Sequence, residues 1–395
     1  MKRKVLFVMP SLHAGGAEKS LVNLLNAFDF NSYEIDLLLL NKNGVFLKLL
    51  PQEVNILTPK GNYSEFAQPL QKALWTFLKQ RKWTLLYSRF VYFLLNNIME
   101  NKGKAEQYSW KYLRNALLSI TKEYDAAIGF LEKTSIYTIV DCVPNAKHKI
   151  GFIHNDYTKL ELDADFDRPY FEHLTHILTV SEVCVKVLKS VFEPMQSKVN
   201  LMYNIISEQS IHTLANSEVP EMNASNTIVS LGRLHPQKGF DVAIEACKIL
   251  VDGGIPIYWY ILGEGESRVE LEQKIQDYKL EPHFILLGIK ENPYSYLKKA
   301  TIYAQPSRYE GKSLAIDEAK ILHKPILVTD FSSAKDQITD GINGKIVAFD
   351  PNAIAEGLQD LLQNESIRNT LSHNLQKIHY GTESEIVKLY TIINS

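Results

Sequence analysis

Short apolar runs alternate with turn residues and helical stretches along both halves of this chain, and that alternation most limits what it can fold into. In the first half the runs fall at residues 4–9, 33–40, 54–57, 125–130, 149–153, 177–180 and 198–203. In the second they fall at 227–231, 257–262, 283–287, 301–305, 325–329 and 345–348. Runs this short, joined by segments of helical period, suit strands buried on both faces of a parallel sheet. The expectation is an α/β protein with two Rossmann-like domains facing across a cleft. Residues 206–226 are polar, with Pro220 and several Asn and Ser, and predict a linker near 206–225. The first domain is then expected over 1–205, with a helical insertion at about 61–122. The second is expected over 226–378, closed by helices at 351–363 and 365–378, with a final helical segment over 379–395. The sequence has no long internal repeat.

Composition removes several function classes. The 395 residues are 45% apolar and 22% charged, ordinary values for globular domains. A net charge of −2 gives no bulk attraction to nucleic acid, so no nucleic-acid partner is expected. Cys142, Cys184 and Cys247 are far apart in apolar surroundings and read as reduced, buried thiols of a cytoplasmic protein. Glu172 to His176 has the wrong order for a His-Glu-x-x-His zinc motif, so no metal ligands are expected. The apolar run after Lys2, Arg3 and Lys4 stops at Pro10, short for a signal core, and no stretch reaches the roughly 18 apolar residues of a membrane span. Asp163, Asp165 and Asp167 read as solvated carboxylates on a loop, since no Gly follows as a calcium loop requires.

Residues 304–319 carry the most chemistry. The spacing predicts a strand at 301–305, a loop broken by Pro306, Ser307 and Gly311, and a helix over 313–322 with Leu314, Ala315, Ala319 and Leu322 on one side. A helix N-terminus offers unpaired N–H groups, so Gly311, Lys312, Ser313 and Leu314 form a candidate phosphate site. Glu310 precedes the helix and Glu318 lies within it; a carboxylate pair beside an anion site suits hydrogen bonding to sugar hydroxyls. Gly311-Lys312-Ser313 is not a P-loop, because Pro306 stands where that motif needs Gly.

Other loops point the same way. Gly15-Gly16 between the first strand and helix allows close ligand approach. His154 closes an apolar strand, at a place where ligands sit in α/β sheets. Arg233 and Lys238 share one loop and can converge on one anion. Gly263-Glu264-Gly265 lacks the third Gly of a dinucleotide fingerprint. Ile289 follows the strand at 283–287.

Taken together, Glu310-x7-Glu318, Gly232-Arg233-Leu234 with Lys238-Gly239-Phe240-Asp241, and Gly15-Gly16-Ala17-Glu18 resemble the family-four retaining nucleotide-sugar glycosyltransferases, which have the GT-B fold. The likeness spans most of the chain and is weakest at 61–120. It implies a metal-independent, retaining hexosyltransferase of the bacterial polysaccharide and glycoconjugate type, with no cofactor beyond the nucleoside-diphosphate sugar donor. It assigns the donor diphosphate to Arg233, Lys238 and the loop at Gly15 and Gly16. Glu310 would touch the donor sugar, Glu318 the ribose, Gly263 and Glu264 the nucleotide, Ile289 the base, and His154 the reacting sugar. The acceptor would be a glycan or a polyprenyl-linked sugar. Lys312 and Ser313 depart from the Phe or Pro common in the family, which puts the usual sugar pocket in doubt. A nucleotide-sugar epimerase of the same fold, and a non-catalytic carbohydrate- or membrane-binding relative, fit the same residues. A pyridoxal-phosphate phosphorylase does not, since the chain is short and no Lys stands out as an anchor.

Residues 61–120 differ from the rest. They hold nine Lys and Arg against three Glu, a balance of +6, together with Trp75, Trp83 and Trp110. Such basic aromatic helices suit an anionic membrane surface or a lipid-linked acceptor, with the protein peripheral on the inner face of the cell membrane. They equally suit a helical insertion packed on its own domain.

Overall fold

Val5, Leu6, Phe7, Val8 and Met9 are all fully buried. A strand apolar on both sides needs cover on both faces, which a parallel sheet flanked by helices supplies. The computed structural model describes residues 2–13, 15–219, 222 and 225–395. Two compact units emerge, residues 2–13, 17–203 and 385–395 in the first and 15–16 and 204–384 in the second.

The first unit holds strands β1 (Arg3–Met9), β2 (Tyr33–Leu39), β3 (Asn55–Leu57), β4 (Tyr124–Gly129), β5 (Ala146–Ile153), β6 (His176–Thr179) and β7 (Val199–Leu201). They pair in parallel in the order β3-β2-β1-β4-β5-β6-β7. The second unit holds β8 (Thr227–Leu231), β9 (Tyr258–Leu262), β10 (Phe284–Gly288), β11 (Ile302–Gln305), β12 (Ile326–Thr329) and β13 (Lys345–Val347). Their order is β10-β9-β8-β11-β12-β13, again parallel. Each sheet reverses its winding once, between β1 and β4 and between β8 and β11. At such a switch point the loops leaving neighbouring strands diverge to opposite faces and open a crevice at the carboxyl ends.

Two expectations need correction. The polar stretch at 206–225 is not a bare linker: it contains a helix, Glu208–Leu214, capped by Ser207. Ile211, Ala215, Val219 and Met222 are buried in the core of the second unit. Their spacing was diluted by the polar residues between them.

The aspartate string is solvated only at Asp165, which is exposed. Asp163 caps a helix, Ala164–Glu172, by accepting from the Asp165 and Phe166 amides. Asp167 is 1% exposed. It accepts from the Tyr157 hydroxyl at 2.6 Å and from the Tyr137 hydroxyl. Burial raises its carboxyl above the usual range.

The basic, Trp-rich segment divides. It folds as helices Tyr63–Phe66, Leu70–Lys79, Trp83–Ile98 and Lys102–Arg114. Trp110 is a core residue, its indole donating to Asp141 Oδ2 at 2.7 Å. Arg89 lays its guanidinium over the Phe66 and Tyr92 rings, 5.6 and 5.8 Å from their centroids. Trp75 and Trp83 remain outside.

The last helix, Ile386–Asn394, belongs to the first unit. Tyr390 stacks on Tyr33 with centroids 4.7 Å apart, and its hydroxyl accepts from the Asp29 amide at 2.8 Å. Among the described residues no helix is long and apolar enough to cross a membrane.

Candidate active site

The switch point of the second unit joins the loop after β8 to the loop after β11. Lys238 Nζ and Glu310 Oε1 lie 2.5 Å apart. The carboxylate also accepts from Gln305 Nε2 at 2.8 Å and Ser307 Oγ at 2.7 Å. Glu310 is 5% exposed and Glu318 1%, so neither is the solvated carboxylate of an ordinary helix face. Gly232 carries no side chain where the Lys238 methylenes pass: a Cβ there would lie 3.1 Å from them.

Further contacts clamp the loops together. Arg308 makes a two-pronged ion pair with Asp241, at 2.8 and 2.7 Å, and stacks over Phe349. Gln237 donates from Nε2 to the Tyr309 carbonyl, and its own carbonyl accepts from the Arg308 amide. Gly239 sits at φ +67°, and a Cβ there would meet the Pro306 carbonyl at 1.9 Å. Only Gly permits both that conformation and that approach. A Cβ on Gly263, after β9, would likewise meet the Gly232 carbonyl at 1.8 Å, so these backbones pack directly.

Gln305 is the hub beneath the carboxylate. Its Oε1 accepts from the Ser313 hydroxyl at 3.1 Å and from the Tyr303 hydroxyl. Tyr303 is pushed well above its ordinary pKa, first by burial and then by the charges of Glu310 and Glu318. Both carboxylates therefore act on one buried phenol. Glu318 lies within the helix Leu314–Ile321, and Tyr294 Oη donates to its Oε1 at 3.4 Å.

One expected donor is already engaged. The Ser313 amide gives its hydrogen to Gln337 Oε1 at 2.8 Å. The next amides of its first turn, from Leu314 on, lack intrahelical acceptors. Lys312 lies 3.4 Å from Asp317, which also sits 3.5 Å from Lys320.

Arg233 is exposed and forms no ion pair among the described residues. Glu264 pairs with Arg268 at 2.7 Å, and Ile289 is 39% exposed just beyond β10.

Gly15 follows β1 in the chain, and Gly16 is the first residue of the helix Gly16–Asn26. His154 follows β5, ring-stacked on Phe152, with Nε2 3.1 Å from the Phe130 carbonyl. A carbonyl can only accept, so Nε2 carries the hydrogen and the neutral ring leaves Nδ1 as the basic nitrogen. Glu132 accepts from the His154 amide at 3.3 Å and from Asn155 Nδ2 at 3.2 Å.

Burial is the first cause holding His148, His154, His176, His235 and His323 below the usual imidazole pKa. Below about pH 6.5 the unfolded chain then binds protons that the folded one excludes. Stability should fall as pH drops from 7.5 to 5.5, by at most about 1.4 kcal/mol per pH unit for each excluded proton. His154→Gln should flatten that slope by up to one proton in thermal denaturation across this range; an unchanged slope would contradict the assignment.

Sequence reasoning missed Gln305, Ser307, Gln237, Arg308, Asp241, Gln337 and Glu132. One signal was present: Gln305 is a polar residue at the end of an otherwise apolar run.

Residues 215–378 match the family described as Glycosyl transferases group 1. The chain is 29% identical over 160 residues to a capsular polysaccharide biosynthesis glycosyltransferase, CapM, of Staphylococcus aureus, covering 40% of this chain and 42% of CapM. It is 24% identical over 371 residues to an N-acetylgalactosamine-N,N'-diacetylbacillosaminyl-diphospho-undecaprenol 4-alpha-N-acetylgalactosaminyltransferase of Campylobacter jejuni, covering 93% of this chain and 92% of that one. The chain spans less than half the length of the first curated relatives it matches, 42% and 43%. Among solved structures it is similar to Staphylococcus aureus TarM in complex with UDP, with TM-score 0.69, 14% identity and 100% of both chains covered. It is also similar to Anabaena HepE in complex with UDP and glucose, with TM-score 0.70, 15% identity and 100% of both chains covered. These full-length likenesses show the fold: two parallel-sheet Rossmann-like units in one chain, the GT-B class.

Proposed function

We propose that this protein is a glycosyltransferase that moves a hexosyl group from a nucleoside-diphosphate sugar to a hydroxyl of a glycan or polyprenyl-linked acceptor, in the synthesis of a cell-surface polysaccharide. The observation that carries the reading is the switch point of the second unit. There a loop bearing Arg233 and Lys238 is clamped to a loop bearing buried Glu310, within the residues matched by the transferase family.

In this reading the bond from the anomeric carbon to the donor phosphate breaks, and one to the acceptor oxygen forms as that hydroxyl loses its proton. Negative charge grows on the departing diphosphate. Arg233, Lys238 and the first-turn amides from Leu314 meet that charge without a metal ion. Glu310 accepts from a donor sugar hydroxyl and Glu318 from the ribose. Gly263 and Glu264 border the nucleotide, Ile289 the base, and Gly15 and Gly16 the diphosphate. The family resemblance assigns His154, with Nδ1 unprotonated, a role at the reacting sugar. The configuration at the anomeric carbon is retained, as in the resembled family. The protein works in the cytoplasm, peripheral on the inner face of the membrane.

The test is incubation with UDP-, GDP- and ADP-sugars, with and without EDTA. One donor should release its nucleotide slowly by hydrolysis, at a rate EDTA leaves intact, and proton spectra of a glycoside formed on an added alcohol should show the donor's anomeric configuration. Activity lost in EDTA and restored by manganese, or an inverted product, would overturn those parts of the reading. Conversion of the donor to an epimer would favour an epimerase, and inertness towards every donor would favour a binding protein.

A further inference from the structure

The helices Leu70–Lys79 and Trp83–Ile98 form a hairpin whose outer side is built unlike a water-facing surface. On the second helix Trp83, Tyr87, Phe90, Leu94 and Ile98 recur at intervals of four, three, four and four, which puts them on one face. That face is turned outward: Trp83 is 61% exposed, Tyr87 59%, Phe90 44% and Ile98 72%. On the first helix Trp75 is 58% exposed and Leu78 41%. The inner faces are supplied by Ala73, Phe77, Leu85 and Ser88, which are buried.

Charge on the hairpin has one sign. No Asp or Glu occurs between Glu65 and Glu100. Lys72, Lys79, Arg81 and Lys82 are exposed. Lys79 holds its ammonium 4.9 Å above the Trp75 ring, so cation and indole share one patch. Arg81 turns the chain between the helices at φ 55°.

We propose that this hairpin is the face by which the protein docks on an anionic lipid bilayer. Indoles and tyrosines settle at the boundary between headgroups and acyl chains, where an apolar ring and a polar edge are both satisfied. Cations around them meet lipid phosphates. A second copy of the chain fits less well: a self-complementary interface would set these cations against their equivalents with no carboxylate on the face to answer them. The proposal rests on the peripheral-membrane part of the functional reading and is independent of the donor chemistry.

The test is co-sedimentation of the full chain with vesicles of phosphatidylglycerol and phosphatidylcholine, against phosphatidylcholine alone, with no donor present. The parent should bind only the anionic vesicles, and added salt should release it. Each cation is worth about fivefold in partition, so Lys79→Gln, Arg81→Gln and Lys82→Gln together should weaken binding about 100-fold. Trp75→Ala with Trp83→Ala should weaken it at least about tenfold. These side chains are exposed, so circular dichroism should report an unchanged fold. Hydrolysis of the donor, measured without vesicles, should match the parent. A failure of vesicle binding is thus separate from a failure of the transferase reading.

Three results would overturn the proposal. The parent could stay in the supernatant with anionic vesicles. Both variants could sediment like the parent. Light scattering could show a parent dimer that the Trp variant converts to monomer, which would assign the face to a second copy.

Discussion

Replacing Lys238 by Ala is expected to lower sugar transfer about 100-fold or more and to destabilise the second unit by about 3 kcal/mol. The two losses have different causes. Transfer suffers because a positive charge aimed at the leaving diphosphate is gone. Stability suffers because Glu310, with its side chain 6% exposed, would keep a buried carboxylate with, among the described residues, only Gln305 and Ser307 donating to it. Changing Glu310 to Gln in the same chain removes that charge and should restore most of the stability while transfer stays low. Arg233→Ala gives the contrast. Its side chain is exposed and has no ion pair among the described residues, so transfer should fall comparably with no change in denaturation midpoint. Urea denaturation and single-donor turnover on the four proteins separate the two effects. Equal stability losses in the Lys238 and Arg233 variants would contradict the buried pair.

Glu318→Gln is expected to weaken binding of the free nucleoside diphosphate by about 10- to 100-fold. A hydrogen bond to a charged acceptor is worth about 1.5–3 kcal/mol, and 1.4 kcal/mol is tenfold in affinity. Glu318 is 1% exposed and fixed in the helix Leu314–Ile321, so Gln should occupy the same space with the fold unchanged. Tyr294 Oη can donate to the amide oxygen as it does to the carboxylate. What is lost is the charge.

The sheets were legible in the sequence because their signal is local. Runs such as 227–231 and 325–329 are mostly apolar, and helices with Gly- or Pro-marked loops separate them. The loop positions of Arg233, Lys238 and Glu310 could be read for the same reason. Their pairing could not. Lys238 and Glu310 are 72 residues apart, as are Arg308 and the Pro236 carbonyl it reaches, and no pattern along the chain encodes which loops meet across a switch point.

Burial of polar groups was hidden in the same way. Asp167 looks like its neighbours Asp163 and Asp165, yet only Asp167 faces the Tyr137 and Tyr157 hydroxyls inside the fold. The helix Glu208–Leu214 was concealed by its polar composition; its buried side chains become visible only against the core they pack on. Among the Trp residues at 61–120, composition did not separate Trp110, buried beside Asp141, from Trp75 and Trp83 outside.

The central claim is that the switch point of the second unit holds a nucleotide-sugar donor. Titration calorimetry of the parent, Arg233→Ala and Glu318→Gln with UDP, GDP and ADP tests it most directly. The account predicts that the parent binds one of the three, that the matching sugar nucleotide competes with it, and that each variant binds it at least about tenfold more weakly. Heats of dilution alone for all three nucleotides, or the same affinity in parent and variants, would contradict it.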